Sequence, residues 1–422
     1  MKISDEWFRQ ILCALYQRRT ATRRDLVTAI ALNPACVSLT IQHLMKCGAV
    51  QGIGGLHSTA HRKQEVLKLN SEAGYFVVVD LEGTRIRIGL ANFLGDIRYR
   101  WEEDLWPRAV LEVDDIVAGI QVVLRSLDEA ERSSVLAVGV SYTGMMDESG
   151  AVTAVNLGWK DFPLSERLRE RVDLPIFYDN DGFCKVLAER WLGVAENSNN
   201  CIYVMAGVGI GIGCYVNGHL LTGEQRLAGE FGHLTIDPNA PDRCNCGKTG
   251  CLEAIVSSPN IVRQYLAKSG RSGERLEAHP VTEVFARARG GDPAAGEVLD
   301  RVGHYLGLGL SHLVNILNPA VIVLGGDLIA AQDLLIPAIQ RELHRHCPPR
   351  MIAGLELKAS TLGHDSGLRG AASLAFNHAV QDERLLKKIT SPLLLRARRD
   401  AQKFEMAAAG AGRPRRGRSS LL

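Results

Sequence analysis

Three cysteines and one histidine lie close together in the second half of the chain. Cys244, Cys246 and Cys251 fall within eight residues, and His233 ends a Glu-Phe-Gly-His segment shortly before them. Three thiolates and one imidazole fill a tetrahedral zinc site and leave no position open for a substrate. Unrelated thiols in a surface loop are the alternative. The spacing favours a structural Zn²⁺ that pins the loop 233–251, because the free energy of metal binding also stabilises the segment that the metal closes.

Carboxylates and an amide, some beside this loop and some earlier in the chain, are of the type that binds a hydroxyl-rich ligand. A sugar hydroxyl that leaves water must find a partner, so a sugar cleft needs convergent polar groups. Any one of these residues alone is more typical of a solvated loop, whereas the combination favours ligand binding. The candidates are Asn156, Asp181, Glu230 and Glu253.

Glycine-containing turns follow three predicted strands, at 80–84, at 207–213 and at 325–326. Backbone N–H groups in such turns can cradle a phosphate, because glycine lets the backbone approach it closely. Ordinary tight turns explain these segments equally well. Phosphate binding is therefore one of two open interpretations.

Size and composition exclude several classes of protein. A chain of 422 residues exceeds what one hydrophobic core usually supports, and 46% hydrophobic residues with 42 glycines are typical of an α/β protein. The net charge of +2 argues against a uniformly basic coat, although residues 1–70 hold a local basic excess. Ten cysteines without a secretory signal do not indicate a disulfide framework. The absence of a signal segment and of a long apolar run predicts a cytoplasmic protein with no membrane partner.

The first part of the chain shows the pattern of three short helices. Apolar residues at helical spacing predict a helix over 5–17, and Thr22 with Asp25 predicts a capping box at the start of a second helix. Asn33 is a suitable N-cap for a third helix over 34–46.

Two predicted strands, 49–53 and 65–69, flank a basic turn and complete a winged helix-turn-helix domain over 1–70. The third helix would enter the major groove of DNA and the turn would reach the adjacent groove. One such helix reads few base pairs, so a homodimer or a tetramer is expected. The expected contacts are Ser38 and Gln42 to base edges, Ala35 or Leu39 to a thymine methyl, and Arg23, Arg62 and Lys63 to phosphates.

From about residue 75 onward, strands and helices alternate in a mixed α/β pattern that extends over 71–390. The strand-rich groups before and after Asp181 predict two lobes with a ligand cleft between them. The Ala-, Gly- and Arg-rich segment 391–422 lacks a periodic apolar face and is predicted to be disordered. The predicted strands are 76–79, 86–91, 135–140, 174–178, 201–206 and 321–324.

The cysteine motif carries a family resemblance. Cys-x-Cys-Gly-x-x-Gly-Cys-x-Glu over 244–253, with Glu-x-Gly-His over 230–233 and Asn-Asp at 180–181, resembles the signature of the ROK family (repressor, open reading frame, kinase). The resemblance spans about 75–376 and implies a two-lobed, actin-like ATPase (ribonuclease H-like) fold with a sugar between the lobes. A winged helix-turn-helix in front resembles the repressor branch, which includes regulators of xylose, glucose and N-acetylglucosamine use.

The resemblance also implies roles for individual residues. It makes His233 both a zinc ligand and a neighbour of the bound sugar, with Cys244, Cys246 and Cys251 as the other ligands. Asp181 matches the general base of the kinases. The residues that would hold sugar hydroxyls are Asn180, Asp181, Glu230 and Glu253, with Asn156 as a further contact.

Three positions depart from the kinase pattern. Glu82 replaces the first Gly of Asp-x-Gly-Gly-Thr and puts a carboxylate where polyphosphate would lie. Val208 replaces the Thr of Gly-Thr-Gly-x-Gly and removes a hydroxyl donor. Phosphoryl transfer depends on positioning and electrostatic clamping, so both changes predict that kinase activity is lost. Thr143 stands where a Pro is expected near the sugar loop, which leaves the identity of the sugar open.

These features together predict a sugar-responsive DNA-binding regulator, a repressor of carbohydrate-use genes, rather than an enzyme. Its partners would be operator DNA, a small-molecule sugar and further copies of the chain. One alternative is an ATP-dependent, glucokinase-like sugar kinase with an appended DNA-binding domain, because Asp80 and Asp181 are present. The other is a winged helix that binds a protein instead of DNA.

Overall fold

The N-terminal part of the chain, residues 3–69, forms a head of three helices and a small antiparallel sheet. The computed structural model describes residues 3–56, 64–82, 85–104, 110–275 and 280–391. The elements of the head are α1 (Asp5–Arg18), β1 (Ala21–Thr22), α2 (Arg23–Ile30), α3 (Pro34–Lys46), β2 (Val50–Leu56) and β3 (Gln64–Leu69). The sheet order is β1-β3-β2. The chain bends by 120° between α2 and α3, as in a helix-turn-helix.

Both inner helices of the head begin at the capping residues that the sequence indicates. Thr22 Oγ1 accepts a hydrogen bond from Asp25 N, and the Asp25 carboxylate accepts one from Thr22 N, so the predicted capping box is confirmed. Asn33 caps α3 by accepting from Ala35 N. The two predicted strands are also confirmed, and the turn between them, 57–63, lies outside the described residues.

Two lobes follow the head, each built on a five-stranded sheet. The strands of the first lobe are β4 (Tyr75–Glu82), β5 (Arg85–Asn92), β6 (Ile97–Asp104), β7 (Val135–Tyr142), β8 (Met145–Met146), β9 (Val152–Ala154), β10 (Trp159–Phe162) and β11 (Ile176–Asn180). Those of the second lobe are β12 (Cys201–Ala206), β13 (Ile210–Val216), β14 (His219–Leu220), β15 (Val321–Gly325) and β16 (Glu356–Ala359).

The two large sheets share one topology. Their orders are β11-β7-β4-β5-β6 and β14-β13-β12-β15-β16, and β8 to β10 form a separate three-stranded sheet. In each large sheet three consecutive strands make an antiparallel meander, and two later strands add in parallel beside the first of them. Each of the six predicted strands overlaps an observed one. The repeated plan confirms the predicted two-lobed, actin-like α/β fold.

Two helices join the lobes. Helix α14 packs on β4 and β7 of the first lobe, α7 packs on β13 of the second, and the two helices pack against each other. A Cβ at Gly370 of α14 would lie 2.4 Å from Cys184 O of α7, so this contact requires glycine. The helices of the body are α4 (Val113–Arg125), α5 (Glu129–Ser133), α6 (Leu164–Arg169), α7 (Asp181–Leu192), α8 (Leu252–Val256), α9 (Ser258–Lys268), α10 (Val281–Arg289), α11 (Pro293–Leu317), α12 (Gln332–His346), α13 (Pro349–Ile352), α14 (Ser366–Gln381) and α15 (Glu383–Ile389).

Among the described residues, no single helix is long and apolar enough to cross a membrane. Helices α2 and α3 meet the length and composition criteria only when they are taken together, across their 120° bend.

The head shares one hydrophobic core with both lobes. Tyr16 of α1 is fully buried between the two joining helices: its ring stacks on Phe376 of α14 with centroids 3.9 Å apart, and it meets Trp191 of α7 edge-on at 4.9 Å. The Tyr16 hydroxyl lies 3.4 Å from Ser373 Oγ. Arg9 adds a hydrogen bond from Nε to Val380 O at 3.2 Å. The head is therefore packed on the same two helices that connect the lobes.

Candidate functional site

His233, Cys244, Cys246 and Cys251 converge to form what we name the metal cluster. Their four ligand atoms all lie within 4.8 Å of one another. Cys246 Sγ is 3.7 Å from Cys251 Sγ, and Cys244 Sγ is 3.5 Å from His233 Nδ1. In a tetrahedron with metal–sulfur bonds of about 2.3 Å the sulfurs stand roughly 3.8 Å apart, so the donor set and its spacing fit Zn²⁺.

Local backbone structure brings the three thiols of the metal cluster together. Cys244 N donates to Lys248 O at 2.9 Å, which closes a tight loop, and Cys251 is the N-cap of α8. Gly250 has a φ of +75°, and a Cβ there would lie 2.2 Å from Asp237 O. Only glycine fits at that position, and it lets the chain turn back toward Cys251.

The metal cluster is tied to the space between the lobes through His233 and Glu253. His233 presents Nδ1 to Cys244 and Nε2 to Glu230, whose carboxylate is 3.8 Å away. Glu253 Oε1 lies 3.8 Å from Cys244 Sγ, and its Oε2 accepts a hydrogen bond from Ile210 N at 3.0 Å. Glu253 thus links the cysteine loop to the glycine turn at 207–213.

Two further candidates stand at the start of α7. The Asn180 side chain accepts from Gly182 N and donates to Gly144 O, both at 2.9 Å, which fixes the amide at the edge of the first lobe. Asp181 is buried, and burial raises the pKa of its carboxyl group, an effect opposed by Lys185.

Five of the six predicted sugar contacts lie around one space. Burial raises the pKa of Glu230; His233 lowers it, whereas the carboxylates of Asp181 and Glu253 add to the rise, so these acids are close enough to interact. Asn180 adjoins Asp181 at the head of α7. Asn156 is exposed in the 3-10 turn Val155–Leu157, and among the described residues no hydrogen bond or ion pair joins it to that group.

The first glycine turn is occupied by what we name the ion cluster: Asp80, Glu82, Arg87, Asp181 and Lys185. The Glu82 carboxylate contacts both Arg87 and Lys185, and Lys185 Nζ lies 3.1 Å from Glu82 Oε1 and 3.7 Å from Asp181 Oδ2. Arg87 Nη1 is 3.6 Å from Asp80 Oδ2. Glu82 is therefore paired with two cations of the chain itself, which offsets the simple like-charge repulsion expected from the sequence.

Burial dominates the electrostatics of the ion cluster. It raises the pKa of Asp80 to about 7, with Glu82 adding to the rise and Lys185 and Arg87 opposing it. Burial alone would lower the pKa of Lys185, yet Glu82, Asp181 and Asp80 together raise it well above its ordinary value. Lys185 is therefore a permanent cation beside Asp181, the carboxylate that would serve as the general base in a kinase.

Sequence reasoning missed three cations that the structure brings to the cleft: Arg87, Lys185 and Arg226. Arg226 binds both oxygens of buried Asp179 through Nη2, at 2.8 and 2.7 Å. A lysine within an otherwise buried helix, four residues after Asp181, is a signal that could have revealed Lys185. Arg226 had no such signal, because its partner lies 47 residues away in the sequence.

The outer face of α3 holds the predicted base contacts. Ala35 and Gln42 are exposed, and Ser38 and Leu39 are half-buried, while Val37, Ile41 and Leu44 face the core. Arg23, a predicted phosphate contact, is paired with a residue of β3: its Nη2 lies 3.1 Å from Glu65 Oε2. Arg62 and Lys63 lie outside the described residues.

The profile of the ROK family matches residues 76–378, which include the metal cluster, the start of α7 and the three glycine turns. The chain belongs to the ROK family. This membership agrees with the two-lobed fold and with the cysteine motif at the edge of the cleft.

Within the ROK family the chain resembles both regulators and kinases. It is 34% identical over 314 residues to a glucokinase of Halalkalibacterium halodurans, across 71% of this chain and 94% of that protein. It is 28% identical over 387 residues to the xylose repressor of Bacillus spizizenii, across 90% of this chain and 98% of that protein.

One solved structure matches the head as well as the lobes. The crystal structure of a ROK family transcriptional regulator, a homologue of the E. coli MLC protein, superposes with a TM-score of 0.72 at 25% identity. The match covers 91% of this chain and 99% of the other. The chain is therefore similar over nearly its whole length to a ROK transcriptional regulator.

Proposed function

We propose that this protein is a sugar-responsive transcription repressor of carbohydrate-use genes that acts in the cytoplasm. The observation that carries the proposal is the outward face of α3, presented by a head that matches ROK regulators together with the body. Ala35, Ser38, Leu39 and Gln42 would meet base edges, while Arg62 and Lys63 would meet phosphates. Because one such helix reads few base pairs, the DNA-binding form would be a dimer or a larger homo-oligomer.

The sugar effector would bind among Asn180, Asp181, Glu230, His233 and Glu253. Zn²⁺ in the metal cluster would have a structural role. With Nδ1 on the metal, His233 keeps a proton on Nε2, so that the imidazole donates toward Glu230 and the cleft. The carboxylates then accept from sugar hydroxyls.

Helices α7 and α14 give the sugar a physical route to the head. The start of α7 holds Asp181, and its last turn places Trp191 against Tyr16. The start of α14 lies against Asp80, since a Cβ at Gly367 would fall 2.1 Å from that carboxylate, and Phe376 stacks on Tyr16. A sugar that changes the angle between the lobes would therefore move both helices that seat the head, which supports coupling between sugar and DNA.

A sugar kinase is the second candidate, supported by the identity to glucokinases and by Asp181 at the start of α7. The ion cluster argues against it, because its two cations are already bound to the chain's own carboxylates. An ATP-coupled phosphorylation assay with hexoses, pentoses and N-acetylated sugars separates the two. Turnover that Asp181→Asn abolishes would establish the kinase.

The test of the regulator begins with duplexes that the full chain selects from a random pool. Gln42→Ala should weaken binding to the selected duplex by about 1–3 kcal/mol and leave binding to unrelated DNA unchanged, because it removes a base contact. Gln121→Ala, an exposed glutamine on α4, is the matched control and should change neither. If no duplex is enriched, the proposal is wrong.

The sugar response is tested on the same protein. A thermal-shift screen identifies sugars that raise the melting temperature, since a ligand that binds only the folded form stabilises it. Such a sugar should change the affinity for the selected duplex, and Glu253→Gln should abolish both effects while Glu356→Gln, an exposed residue of β16, keeps them. Identical DNA binding with and without every stabilising sugar would contradict the proposal.

A further inference from the structure

An ion pair between Arg226 and Asp179 connects the two lobes beside the proposed sugar site. Asp179 lies in β11, the edge strand of the first large sheet, where it is paired with Ser141 of β7. Arg226 belongs to the loop 221–229, which follows β14 of the second lobe. Its Nη2 donates to both oxygens of the Asp179 carboxylate, at 2.8 and 2.7 Å. The pair therefore crosses from one lobe to the other.

The loop 221–229 is fastened to the second lobe at both of its ends. Leu221 N donates to Cys214 O of β13 at 2.9 Å. Ile212 N, also of β13, donates to Gly229 O at 3.1 Å. The guanidinium therefore moves with the second lobe, whereas its partner carboxylate moves with the first. Since hydrogen bonds of this kind are lost beyond roughly 3.5 Å, a relative shift of about 1 Å breaks the pair.

The carboxylate of Asp179 depends on this cation because it is buried. Asp179 is 3% exposed, whereas the side chain of Arg226 is 54% exposed, so the pair has one buried end and one end in contact with solvent. Burial raises the pKa of Asp179, and Arg226 and then His378 of α14 oppose that rise. A buried charge that loses its partner is costly. The pair therefore favours the arrangement in which the lobes are together.

The backbone of Arg226 is held in an uncommon conformation. Its φ is +55°, in the left-handed region that few residues other than glycine adopt. Ala228 N donates to Thr222 O at 3.0 Å and closes the loop around it. Backbone conformations of this kind persist only where the surrounding structure imposes them, and they are concentrated at functional sites. The loop thus holds a disfavoured conformation that presents the guanidinium to the first lobe.

Both ends of the ion pair adjoin proposed sugar contacts. Asp179 directly precedes Asn180 and Asp181, and its Oδ1 accepts a hydrogen bond from Asn180 N at 3.0 Å. Arg226 stands four residues before Glu230. A movement of the lobes that breaks the pair therefore also separates the sugar contacts at the start of α7 from Glu230.

We propose that Arg226 and Asp179 form a latch between the lobes, which stabilises the closed arrangement that binds the sugar. The inference rests on the proposed function and deepens it, because it assigns the residues that set the equilibrium between open and closed lobes. Without sugar, the latch keeps a fraction of the molecules closed. A sugar that binds only the closed form binds more weakly when that fraction falls. Arg226 and Asp179 are thus positioning residues, which act through the arrangement of the sugar contacts.

The first measurement is the affinity of the sugar-free protein for the duplex that the full chain selects. Arg226→Gln should change this affinity by about fivefold, in the direction opposite to the change that a sugar causes, because it moves molecules toward the open arrangement. Arg289→Gln is the matched control, since Arg289 is paired with Asp333 inside the second lobe, and it should change nothing. An unchanged affinity in Arg226→Gln overturns the proposal.

The second measurement is the binding of D-glucose and D-xylose, one hexose and one pentose, by titration calorimetry. Arg226→Gln should bind the sugar that the wild type binds about fivefold more weakly, while its affinity for the duplex at saturating sugar should equal that of the wild type. Weaker sugar binding with an unchanged sugar-free affinity for DNA would make Arg226 a direct sugar contact and overturn the latch. If the wild type binds neither sugar, the sugar-free affinity for DNA decides alone.

A double variant and trypsin test the ion pair itself. Asp179→Asn keeps an acceptor for Asn180 N but removes the charge, so Arg226→Gln should have no further effect in that background; additive effects overturn the latch. Trypsin cleaves after a basic side chain that is free to enter its specificity pocket. Asp179→Asn should therefore be cut after Arg226 faster than the wild type, and equal rates overturn the pair. These rates need no DNA, whereas a full chain that selects no duplex refutes only the proposed function.

Discussion

The two ends of the cleft between the lobes use carboxylates in opposite ways. At the end that holds the metal cluster, which we call the metal end, Glu230 and Glu253 lie beside His233. Among the described residues no lysine or arginine forms an ion pair with either of these two carboxylates. At the end that holds the ion cluster, which we call the phosphate end because a kinase would bind phosphate there, Glu82 and Asp181 are paired with Lys185. Glu82 is also paired with Arg87. One end keeps acceptors available for hydroxyls, whereas the other has its charges satisfied by the chain.

This difference separates the binding of a sugar from the binding of a nucleotide. A neutral polyol needs hydrogen-bond acceptors and donors in a fixed arrangement, which the metal cluster can hold in place. A polyphosphate needs cations and backbone donors that are free to meet it. Where Lys185 and Arg87 are bound to Glu82, a phosphate would have to displace an internal partner first. The comparison therefore predicts a cleft that keeps sugar recognition without phosphoryl transfer.

The largest effect should follow from breaking the ion cluster. Lys185→Met leaves buried Asp181 and half-buried Glu82 without their shared cation. Removal of one partner of a buried pair such as Lys185 and Asp181 costs about 3–5 kcal/mol. The free energy of unfolding in urea measures the loss. Lys160→Met, an exposed lysine of β10, is the matched control and should be neutral.

A double variant tests whether the loss arises from pairing. Glu82→Gln combined with Lys185→Met should be less destabilising than the two single effects added together, because the second change removes a charge that the first left unpaired. Additive effects would mean that Lys185 acts through packing alone. In that case the contrast between the two ends of the cleft would lose its electrostatic basis.

A smaller effect is expected at the metal end. Cys251→Ser should remove the zinc that we propose there and, with free zinc at a hundred times its Kd, the stabilisation of about 2.7 kcal/mol that binding supplies. Metal analysis of the purified protein and the melting temperature with and without a chelator check this. Cys347→Ser changes a buried thiol outside the metal cluster and should keep both the metal and the chelator response. A wild-type protein free of zinc would contradict the metal end of the comparison.

Local patterns in the sequence were sufficient to predict the head and the metal cluster. Thr22, Asp25 and Asn33 mark helix starts through contacts within three residues, and the cysteines of the metal cluster lie in one loop. Contacts between residues that are close in the sequence can be predicted from the types and spacing of those residues. The same holds for the strands, since buried runs of β-branched residues predict them directly.

Contacts between distant segments escaped that reasoning. Lys185 and Glu82 are separated by 103 residues, so only the folded chain brings the first turns of α7 to the end of β4. Asn156 shows the converse: its residue type suits a sugar, yet it is exposed, and within the described part of the chain no hydrogen bond or ion pair joins it to the other candidates. Residue type alone does not report on which elements the fold places side by side.

The smallest predicted effect concerns the charge balance of the ion cluster. Asp80 has a pKa of about 7 in the folded protein against 3.8 ordinarily, so the folded state binds the proton more tightly than the unfolded state. Its contribution to stability is full below pH 3.8 and is lost as the pH rises toward 7. Asp80→Asn mimics the protonated form, so its free energy of unfolding should exceed that of the wild type by an amount that grows between pH 5 and 8, on the order of 2 kcal/mol.

The control for this prediction is Asp173→Asn, the same substitution at an exposed aspartate, measured over the same pH range. A proton on Asp80 leaves Glu82 and Asp181 to balance Lys185 and Arg87, so that two anions face two cations in the buried cluster. If the difference between Asp80→Asn and the wild type is the same at every pH, Asp80 stays charged and the phosphate end carries an excess anion. Such an end would repel polyphosphate by net charge as well as by occupied cations, which would sharpen the contrast with the metal end.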